Sequence, residues 1–574
     1  MFDSTRADFG YPLGVIRPAR IAPRPLSGLA ELLGMGRSED IQSDFGVLSG
    51  VTLDSRAVRP GDLYAALPGN RTHGAAYSDQ AVAAGAIAIL TDPDGRDRAS
   101  RTGVPVFVVA SPRMSLGDVS CWIYGDPSHR MTMIGVTGTS GKTTTSYLCE
   151  AGLRAAGHST GLIGGVEIRI GAELVKASLT TPEAPDLQAL LAVMAERRVT
   201  GVAMEVSSHS LALGRVAGTR YGVAVFTNLS QDHLDFHAGF EDYFRAKARL
   251  FTPAYSAVGV VNVADRYGRR LVSEASVPIV TFCADPASGA YAQAEWRAAD
   301  VRCGADGSTF RVVGPGGVEA DASVTLPGQF NVANALAAIV ALVEAGTDLA
   351  DAVDGVASCP GVPGRLQRIL LSPGGATPRT PRLSPGAGPM AQTAIVSGPP
   401  QATEGRREPY FPLVDTDQLP DAFVDYSHKP GAVEAVLSAL RQVTSGELIV
   451  VLGCGGDRDR GKRPLMGAAA ARLADVAILT SDNPRSEDPL AILAEMLQGV
   501  LGVPQVERAR VIIEPDRAAA IELAAAMAGK GDVVLVAGKG HETGQYVGGA
   551  VLPFDDALVT AAALARHART GGPA

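Results

Sequence analysis

"MTMIGVTGTSGKTTTSYLCEAGLRAA", residues 131–156, reads as a strand, a glycine-rich turn and a helix in immediate succession. The apolar run 131–136 is the strand, and "KTTTSYLCEAGLRAA" is a helix that Gly157 ends. Between them, Gly138, Thr139, Ser140, Gly141, Lys142, Thr143 and Thr144 spell the short form of a phosphate loop. The strict eight-residue form would need glycine at 136, where Val136 stands. Backbone N–H groups of such a loop, and the positive end of the helix dipole behind it, converge on an anion. Lys142 is placed to reach β- and γ-phosphates, and Thr143 or Thr144 to offer a hydroxyl to Mg²⁺.

Working outward, the alternation of strand and helix continues from 131 to 362. "TGVAMEV" and "YGVAVFTN" read as further buried strands, and continuous apolar runs suit a parallel sheet covered on both faces. Residues 46–130 form a small α/β module with runs such as "AIAIL" and "VPVFVVA". From 363 to 574 a third domain begins anew with "AFVDYS", "ELIVVLG", "DVAILTSD" and "DVVLVAGKG", the pattern of a doubly wound, Rossmann-like sheet. The fold class expected is therefore α/β in three domains. Residues 1–45, rich in Arg, Pro and Gly, read as a disordered extension. Residues 371–420, with ten prolines and no periodicity, read as a flexible surface insertion.

At 574 residues with 46% hydrophobic content, the chain can bury several cores. A net charge of −9 without a long basic stripe argues against nucleic-acid binding. Six scattered cysteines without a CxxC pair read as reduced thiols. The N-terminus lacks the apolar core of a signal peptide, and no apolar run approaches the ~18 residues of a membrane span. A soluble cytoplasmic protein is expected.

Glu205 closes an apolar strand, where an α/β sheet presents its site residues; helix capping by Glu205 and Ser207 is the plainer alternative. "FTNLSQDHLDFH" follows another strand and crowds Asp232, His233, Asp235 and His237 into six residues, a donor set suited to Mg²⁺ or Mn²⁺.

The motifs "GTSGKTT", "TTPEAPDL", "MEVSSHSL", "TNLSQDHLDFH", "YFRAKARLF", "LPGQFNVANALAA", "PGRLQRI", "VDYSHKPGA", "GGDRDRGKRPLMG", "TSDNPR" and "GKGHET" occur in that order. Together they resemble the Mur ligase family of ATP-dependent amide-forming enzymes, over about residues 46–565 without the insertion. The resemblance implies a UDP-sugar-binding first domain, a central ATPase-type domain and an amino-acid-binding third domain. It implies that ATP phosphorylates the D-Glu γ-carboxylate of UDP-MurNAc-L-Ala-D-Glu and that an amine then displaces phosphate, in cytoplasmic peptidoglycan synthesis by a monomer. By the same resemblance Lys142, Glu205, His233 and Lys247 are catalytic. Thr143, Glu205, His233 and Lys247 would hold Mg²⁺, Lys247 as a CO₂-derived carbamate (N6-carboxylysine). Asn331, Asn334, Arg365, Asp425 and His428 would join the loop in binding ATP. Leu53, Ser55, Thr180, Thr181, Ser207, Leu213 and Arg215 would bind the UDP-MurNAc dipeptide.

The loops "GGDRD", "SDNPR" and "GKGHE" leave the carboxyl ends of three expected strands, and in a doubly wound sheet such loops meet in one crevice. They bring Arg458 and Arg485, suited to carboxylates, and Asp482 and Glu542, suited to an ammonium. A zwitterionic head group fits both signs. meso-Diaminopimelate carries one at its far end, whereas L-lysine, the alternative, would leave an arginine desolvated without a partner. The resemblance adds Asn483, Pro484 and Gly538 to this pocket, since "DNPR" matches diaminopimelate-adding members. A phosphate-loop kinase and a non-catalytic nucleotide-binding scaffold are the rival readings. Folylpolyglutamate synthases share the loop but lack a first module matching "LDSRAVRPGDLYAALPG".

Overall fold

Gly28 and Arg24 near the N-terminus make a contact with Trp122, far along the chain, that local composition does not announce. The structure, a computed structural model, describes residues 16–35, 46–69, 71–175, 179–371 and 419–570. Within the expected disordered extension, residues 16–35 are ordered, which corrects that reading. Helix α1 (Leu26–Leu32) buries Leu26, Leu29 and Ala30 in the first core, and Gly28 lets the Trp122 indole close on it. Arg24 lies over that indole at 5.4 Å, and Arg17 pairs with Asp62, both side chains nearly fully buried. The surface that α1 needs comes from a helix about ninety residues later, so local composition conceals it. The insertion expected at 371–420 lies, apart from its margins, outside the described residues.

The described residues divide after Val362 into two units. In the first, β1 (Gly50–Thr52), β2 (Asp62–Ala66), β3 (Ala88–Thr91) and β4 (Val106–Val108) make a parallel sheet in chain order. Helix α2 (Pro112–Tyr124) follows, opened by Pro112 and closed by Gly125 at φ 77°.

The larger sheet of this unit uses β5 (Thr132–Thr137), α3 (Lys142–Ala155), β6 (Thr160–Ile163), β7 (Ile168–Ile170) and β8 (Glu173–Val175). It continues with α4 (Ala184–Glu196), β9 (Gly201–Glu205), α5 (Ser208–Ala212), β10 (Tyr221–Phe226) and α6 (Phe240–Ala248). Then come β11 (Ser256–Asn262), β12 (Ile279–Cys283), β13 (Trp296–Gly304), β14 (Gly307–Val313) and β15 (Glu319–Val324), followed by α7 (Gln329–Glu344) and α8 (Leu349–Ala357). Eleven strands align as β8-β7-β6-β9-β5-β10-β11-β12-β13-β14-β15, parallel from β6 to β13.

Both faces of the parallel part are covered. Ile134, Val136 and Val225 pack with Leu148 of α3, Leu336 and Ile339 of α7 and Val356 of α8. Met133, Met204 and Ala224 pack with Leu190 and Met194 of α4 and Phe244 of α6. Beyond Asn334 helix α7 is apolar on every face up to Val343, and it is almost wholly buried. One stretch departs from the expected alternation: residues 296–324 are three strands joined antiparallel, without intervening helices. Their side chains alternate buried and exposed because only one face is packed.

Along the sheet the chain runs from β5 to β6 and back to β9, then crosses to β10 and β11 on the other side. The switch falls at the carboxyl end of β5, where an open parallel sheet leaves a crevice.

The second unit comprises β16 (Gln367–Arg368), β17 (Asp421–Asp425), α9 (Pro430–Val443), β18 (Leu448–Cys454), α10 (Lys462–Leu473) and β19 (Val476–Ser481). It is completed by α11 (Pro489–Leu501), β20 (Arg510–Ile513), α12 (Arg517–Met527), β21 (Val533–Ala537), the hairpin β22 (Gly544–Val547) and β23 (Ala550–Pro553), and α13 (Asp556–Thr570). Its sheet order is β16-β17-β21-β18-β19-β20, all parallel but β16.

Beneath the carboxyl ends of β19 and β21 lies a buried fork: Arg517 Nε and Nη2 donate to Asp556 at 2.8 and 2.7 Å, and Nη2 also to Ala537 O at 3.0 Å. Neither side chain is exposed at all. Asp556→Ala leaves that guanidinium buried without its anion and is expected to destabilise the second unit by about 3–5 kcal/mol, read as an earlier guanidinium-chloride transition. No helix among the described residues is long and apolar enough to cross a membrane.

Candidate functional site

Register places three groups at one sheet edge. Glu205 pairs with Val136 and Phe226 with Thr137, so the loops after β9, β5 and β10 start side by side. The β5 loop bends through Gly138 at φ 148° and Gly141 at φ 86° into α3, whose first turn has no side-chain cap. A Cβ on Gly138 would collide with Thr227, and one on Gly141 with Asn334. Only glycine therefore fits.

Asn228 was not singled out by sequence reading, yet it shapes the loop. Its backbone carbonyl accepts from Thr139 N–H at 2.9 Å and its side chain from Ser140 N–H at 3.0 Å. With those two donors used, the N–H groups offered to an anion are those of the first turn of α3, with buried Thr143 and Thr144. Thr139 is anchored by the Tyr243 hydroxyl at 3.0 Å. The advance signals for Asn228 were its place directly after a strand and its presence in the motif "TNLSQDHLDFH".

Lys142 Nζ donates to Gly138 O at 2.9 Å and Thr139 O at 3.1 Å. Lys247 Nζ reaches the same Gly138 O at 2.8 Å, its side chain lying over the Tyr243 ring at 4.7 Å. Lys247 is 1% exposed, which no ordinary solvated helix lysine would be. Glu205, also buried, accepts from Gly165 N–H at 3.0 Å. Asn331 and Asn334 sit on the first turns of α7, joined by a 3.2 Å hydrogen bond, with Asn331 Nδ2 donating to Pro327 O at 2.8 Å. Asn334 lies against Gly141 and Thr145.

The Asp/His-rich run does not close on one point, a correction to the cluster expected there. His233, at φ 53°, pairs with Asp232 at 3.0 Å. His237 faces elsewhere, bonded to Ser208 at 3.0 Å and Asp242 at 3.1 Å. Asp235 is exposed. Neighbours in a tight turn diverge, and among the described residues no three His, Cys, Asp or Glu side chains form a metal nest. His209, missed from sequence, packs its ring 4.7 Å from His233 and 4.1 Å from Phe236. Partial burial, then His233 and His237, hold it down to about 4.

Toward the first domain, Thr181 Oγ1 donates to Glu205 O at 2.9 Å and accepts from Ser207 N–H at 3.2 Å. Arg215 pairs with Glu183 at 2.9 Å and donates to Thr181 O at 3.5 Å. Thr180 lies beside Gly165, and Leu213 follows α5, its N–H bonded to His209 O at 2.8 Å. Ser55 is held by Gln80 at 3.0 Å, with Leu53 partly buried against the first core. These residues form two groups, 53–55 in the first domain and 180–215 around the end of β9.

In the second unit the loops after β18, β19 and β21 leave adjacent strands and interlock. Arg485, at φ 54°, is pinned by the β22 hairpin: its N–H donates to Tyr546 O at 2.8 Å and its carbonyl accepts from Gly548 at 2.7 Å. Its Nη1 donates to Gly456 O at 2.6 Å. Arg485 Nη1 and the stem of exposed Arg458 both flank Gly455, and burial, then Arg458, lowers the Arg485 pKa. Pro484 O abuts Gly456, and Gly538, at φ 116°, abuts the Asp482 carboxylate, whose pKa burial raises.

Glu542 is held firmly. Oε2 accepts from Asn483 Nδ2 at 2.8 Å and Lys539 Nζ at 3.1 Å, and Oε1 from the Tyr426 hydroxyl at 3.3 Å. Lys539, fully buried, also donates to Asn483 Oδ1 at 3.0 Å and Gly544 O at 2.6 Å. Lys539 stood in the quoted "GKGHE" but was passed over. At the end of β17, Asp425 accepts from Leu366 N–H at 2.7 Å and Ser427 N–H at 2.8 Å, and burial raises its pKa. Arg365 lies over the Tyr426 ring at 4.6 Å, and His428 Nδ1 meets Tyr426 O at 2.8 Å.

A phosphate loop at the carboxyl end of β5, and loops bearing charges of both signs at the ends of β18, β19 and β21, suit an ATP-dependent ligase. Comparison with known proteins narrows the class. The Mur ligase family catalytic domain matches residues 47–119, the Mur ligase middle domain 136–342 and the Mur ligase glutamate ligase domain 411–540. A UDP-N-acetylmuramoyl-L-alanyl-D-glutamate–2,6-diaminopimelate ligase of Streptomyces avermitilis is 55% identical over 96% of this chain and 98% of the relative. That of Streptomyces coelicolor is 54% identical over the same shares, 96% and 98%. A solved structure of a ligase of this name is 32% identical with a TM-score of 0.62, covering 94% of this chain and 99% of the other. The chain belongs to the Mur ligase family.

Proposed function

We propose that this protein forms the amide bond between the D-Glu γ-carboxylate of UDP-MurNAc-L-Ala-D-Glu and an amine of meso-2,6-diaminopimelate, in the cytoplasmic assembly of peptidoglycan precursors. In the first step a carboxylate oxygen attacks the γ-phosphorus of ATP; the bond to the β,γ-bridging oxygen breaks and ADP leaves. In the second the amine attacks the acyl carbon, loses a proton, and inorganic phosphate departs.

Lys142 and the first turn of α3 hold the phosphates, with Asn331 and Asn334 as the residues for the adenine base; the packing of Asn334 against Gly141 of the loop supports their part. Arg365, Asp425 and His428 are further nucleotide-binding residues in this reading. Leu53, Ser55, Thr180, Thr181, Ser207, Leu213 and Arg215 hold the UDP-MurNAc dipeptide. The oxygen donors Thr143 and Glu205 suit a hard cation, and with His233 and carbamylated Lys247 they would hold Mg²⁺. That ion supplies charge neutralisation between triphosphate and carboxylate. Buried Lys247 at the loop carbonyl supports its part in this set.

The observation that carries the choice of acceptor is the crevice of Arg458 and Arg485 with Asp482 and Glu542, supported by the names of the closely similar Streptomyces proteins. Phosphate release with ATP, the UDP-MurNAc dipeptide and either diaminopimelate or L-lysine tests it. Release should require all three substrates and favour diaminopimelate; preference for lysine would sink the acceptor assignment. Arg485→Ala removes a charge-assisted fork to the remote carboxylate and should raise the diaminopimelate KM about 100-fold. The ATP KM should stay within about twofold; equal effects on both would count against a pocket role.

A further inference from the structure

We propose that Tyr426 is a positioning residue that couples the nucleotide side of the second unit to its amino-acid crevice. The proposal rests on the ligase reading above and adds a residue that the reading does not use.

Tyr426 follows Asp425 at the end of β17 and touches both groups of functional side chains. Its ring carries the Arg365 guanidinium at 4.6 Å, and its carbonyl fixes His428 Nδ1 at 2.8 Å. Its hydroxyl donates to Glu542 Oε1 at 3.3 Å, across 116 residues of sequence. The backbone is pinned as well, with Tyr426 N–H on Gly364 O at 2.9 Å and Gly540 packed against its Cβ. The strand that presents the nucleotide contacts and the loop that presents the Glu542 carboxylate are joined by the backbone, Gly538 N–H donating to Asp425 O at 3.0 Å, and the phenol is the side-chain link from Tyr426 to Glu542 itself.

Counting acceptor directions on Glu542 shows what the hydroxyl does. A carboxylate has about four lone-pair sites. Asn483 and Lys539 take two on Oε2, and Tyr426 takes one on Oε1. One direction is left, on Oε1, and it suits a single N–H of a substrate ammonium. The phenol thereby sets where that last direction points. Burial, followed by the charge of Glu542, holds the phenol pKa up to about 12, so it remains a donor across the working pH range. Arg365, a nucleotide contact in the reading above, lies on the same ring, so the ring that carries the hydroxyl is also the surface on which that guanidinium rests.

Tyr426→Phe keeps the ring and removes only the donor; Tyr426→Leu removes both. With ATP, the UDP-MurNAc dipeptide and diaminopimelate, Tyr426→Phe is expected to raise the diaminopimelate KM about tenfold, with the ATP KM changed less than about twofold. Tyr426→Leu is expected to raise both. In a double-mutant cycle, adding Tyr426→Phe to Glu542→Gln should cost no more than Glu542→Gln alone, because the hydroxyl acts through that carboxylate. An active wild type with unchanged constants in Tyr426→Phe, or additive losses in the cycle, overturns the coupling and leaves the ligase reading standing. A wild type that releases no phosphate with all three substrates overturns the ligase reading and the coupling together.

Discussion

Lys142→Ala is expected to slow phosphate release by about 10³-fold or more, ~4 kcal/mol of barrier, because a preorganised cation at a transferring phosphoryl group is among the largest single contributions to such catalysis. The ammonium is held at the loop by the Gly138 and Thr139 carbonyls, at 2.9 and 3.1 Å, ready to exchange those acceptors for phosphate oxygens. The first turn of α3 and the glycine bends remain in the variant, so nucleotide affinity should fall far less than turnover. Lys142→Arg is not a rescue, since a planar fork cannot occupy the site of a compact ammonium against two loop carbonyls. Single-turnover phosphate release with all three substrates is the measurement. Activity within tenfold of wild type would remove Lys142 from the phosphate site.

Lys247→Ala is expected to lower turnover by a comparable factor, on the order of 10³. Lys142, half-buried, and Lys247, buried, both donate to Gly138 O, at 2.9 and 2.8 Å, so two cations crowd one carbonyl. Like charges so close repel. Carbamylation of Lys247, as proposed, would exchange that repulsion for attraction and would convert a group unable to ligate a cation into an oxygen donor. The carbamate account therefore also expects wild-type activity to fall in CO₂-depleted buffer and return with bicarbonate, whereas Lys247→Ala should respond to neither. A nearly normal Lys247→Ala enzyme would contradict it.

Much of the architecture was legible because the signals were local. The strand at 132–137, the loop glycines and α3 lie within about 25 residues, and apolar runs without alternation mark strands buried on both faces. Residues 296–324 escaped because their antiparallel strands keep one face in water, and short alternating stretches read weakly against a background of helix and strand. Residues 16–35 escaped because Arg, Pro and Gly dominate locally, while the Trp122 surface that orders them arrives much later. In the site, Asn228 and Lys539 were overlooked for a related reason: each matters through its hydrogen bonds, and composition does not announce a bond.

By itself the sequence determined the class of chemistry: a phosphate loop between strand and helix, ordered motifs along the chain, and charges of both signs in three loops after strands. Tertiary structure decided the pairings, among them Lys247 on the carbonyl of a glycine 109 residues away, and Tyr426 and Lys539 on Glu542. The reason is physical. Spacing along the chain sets which element a residue occupies, whereas partners across a sheet follow from strand order, which only the packing of the whole core selects.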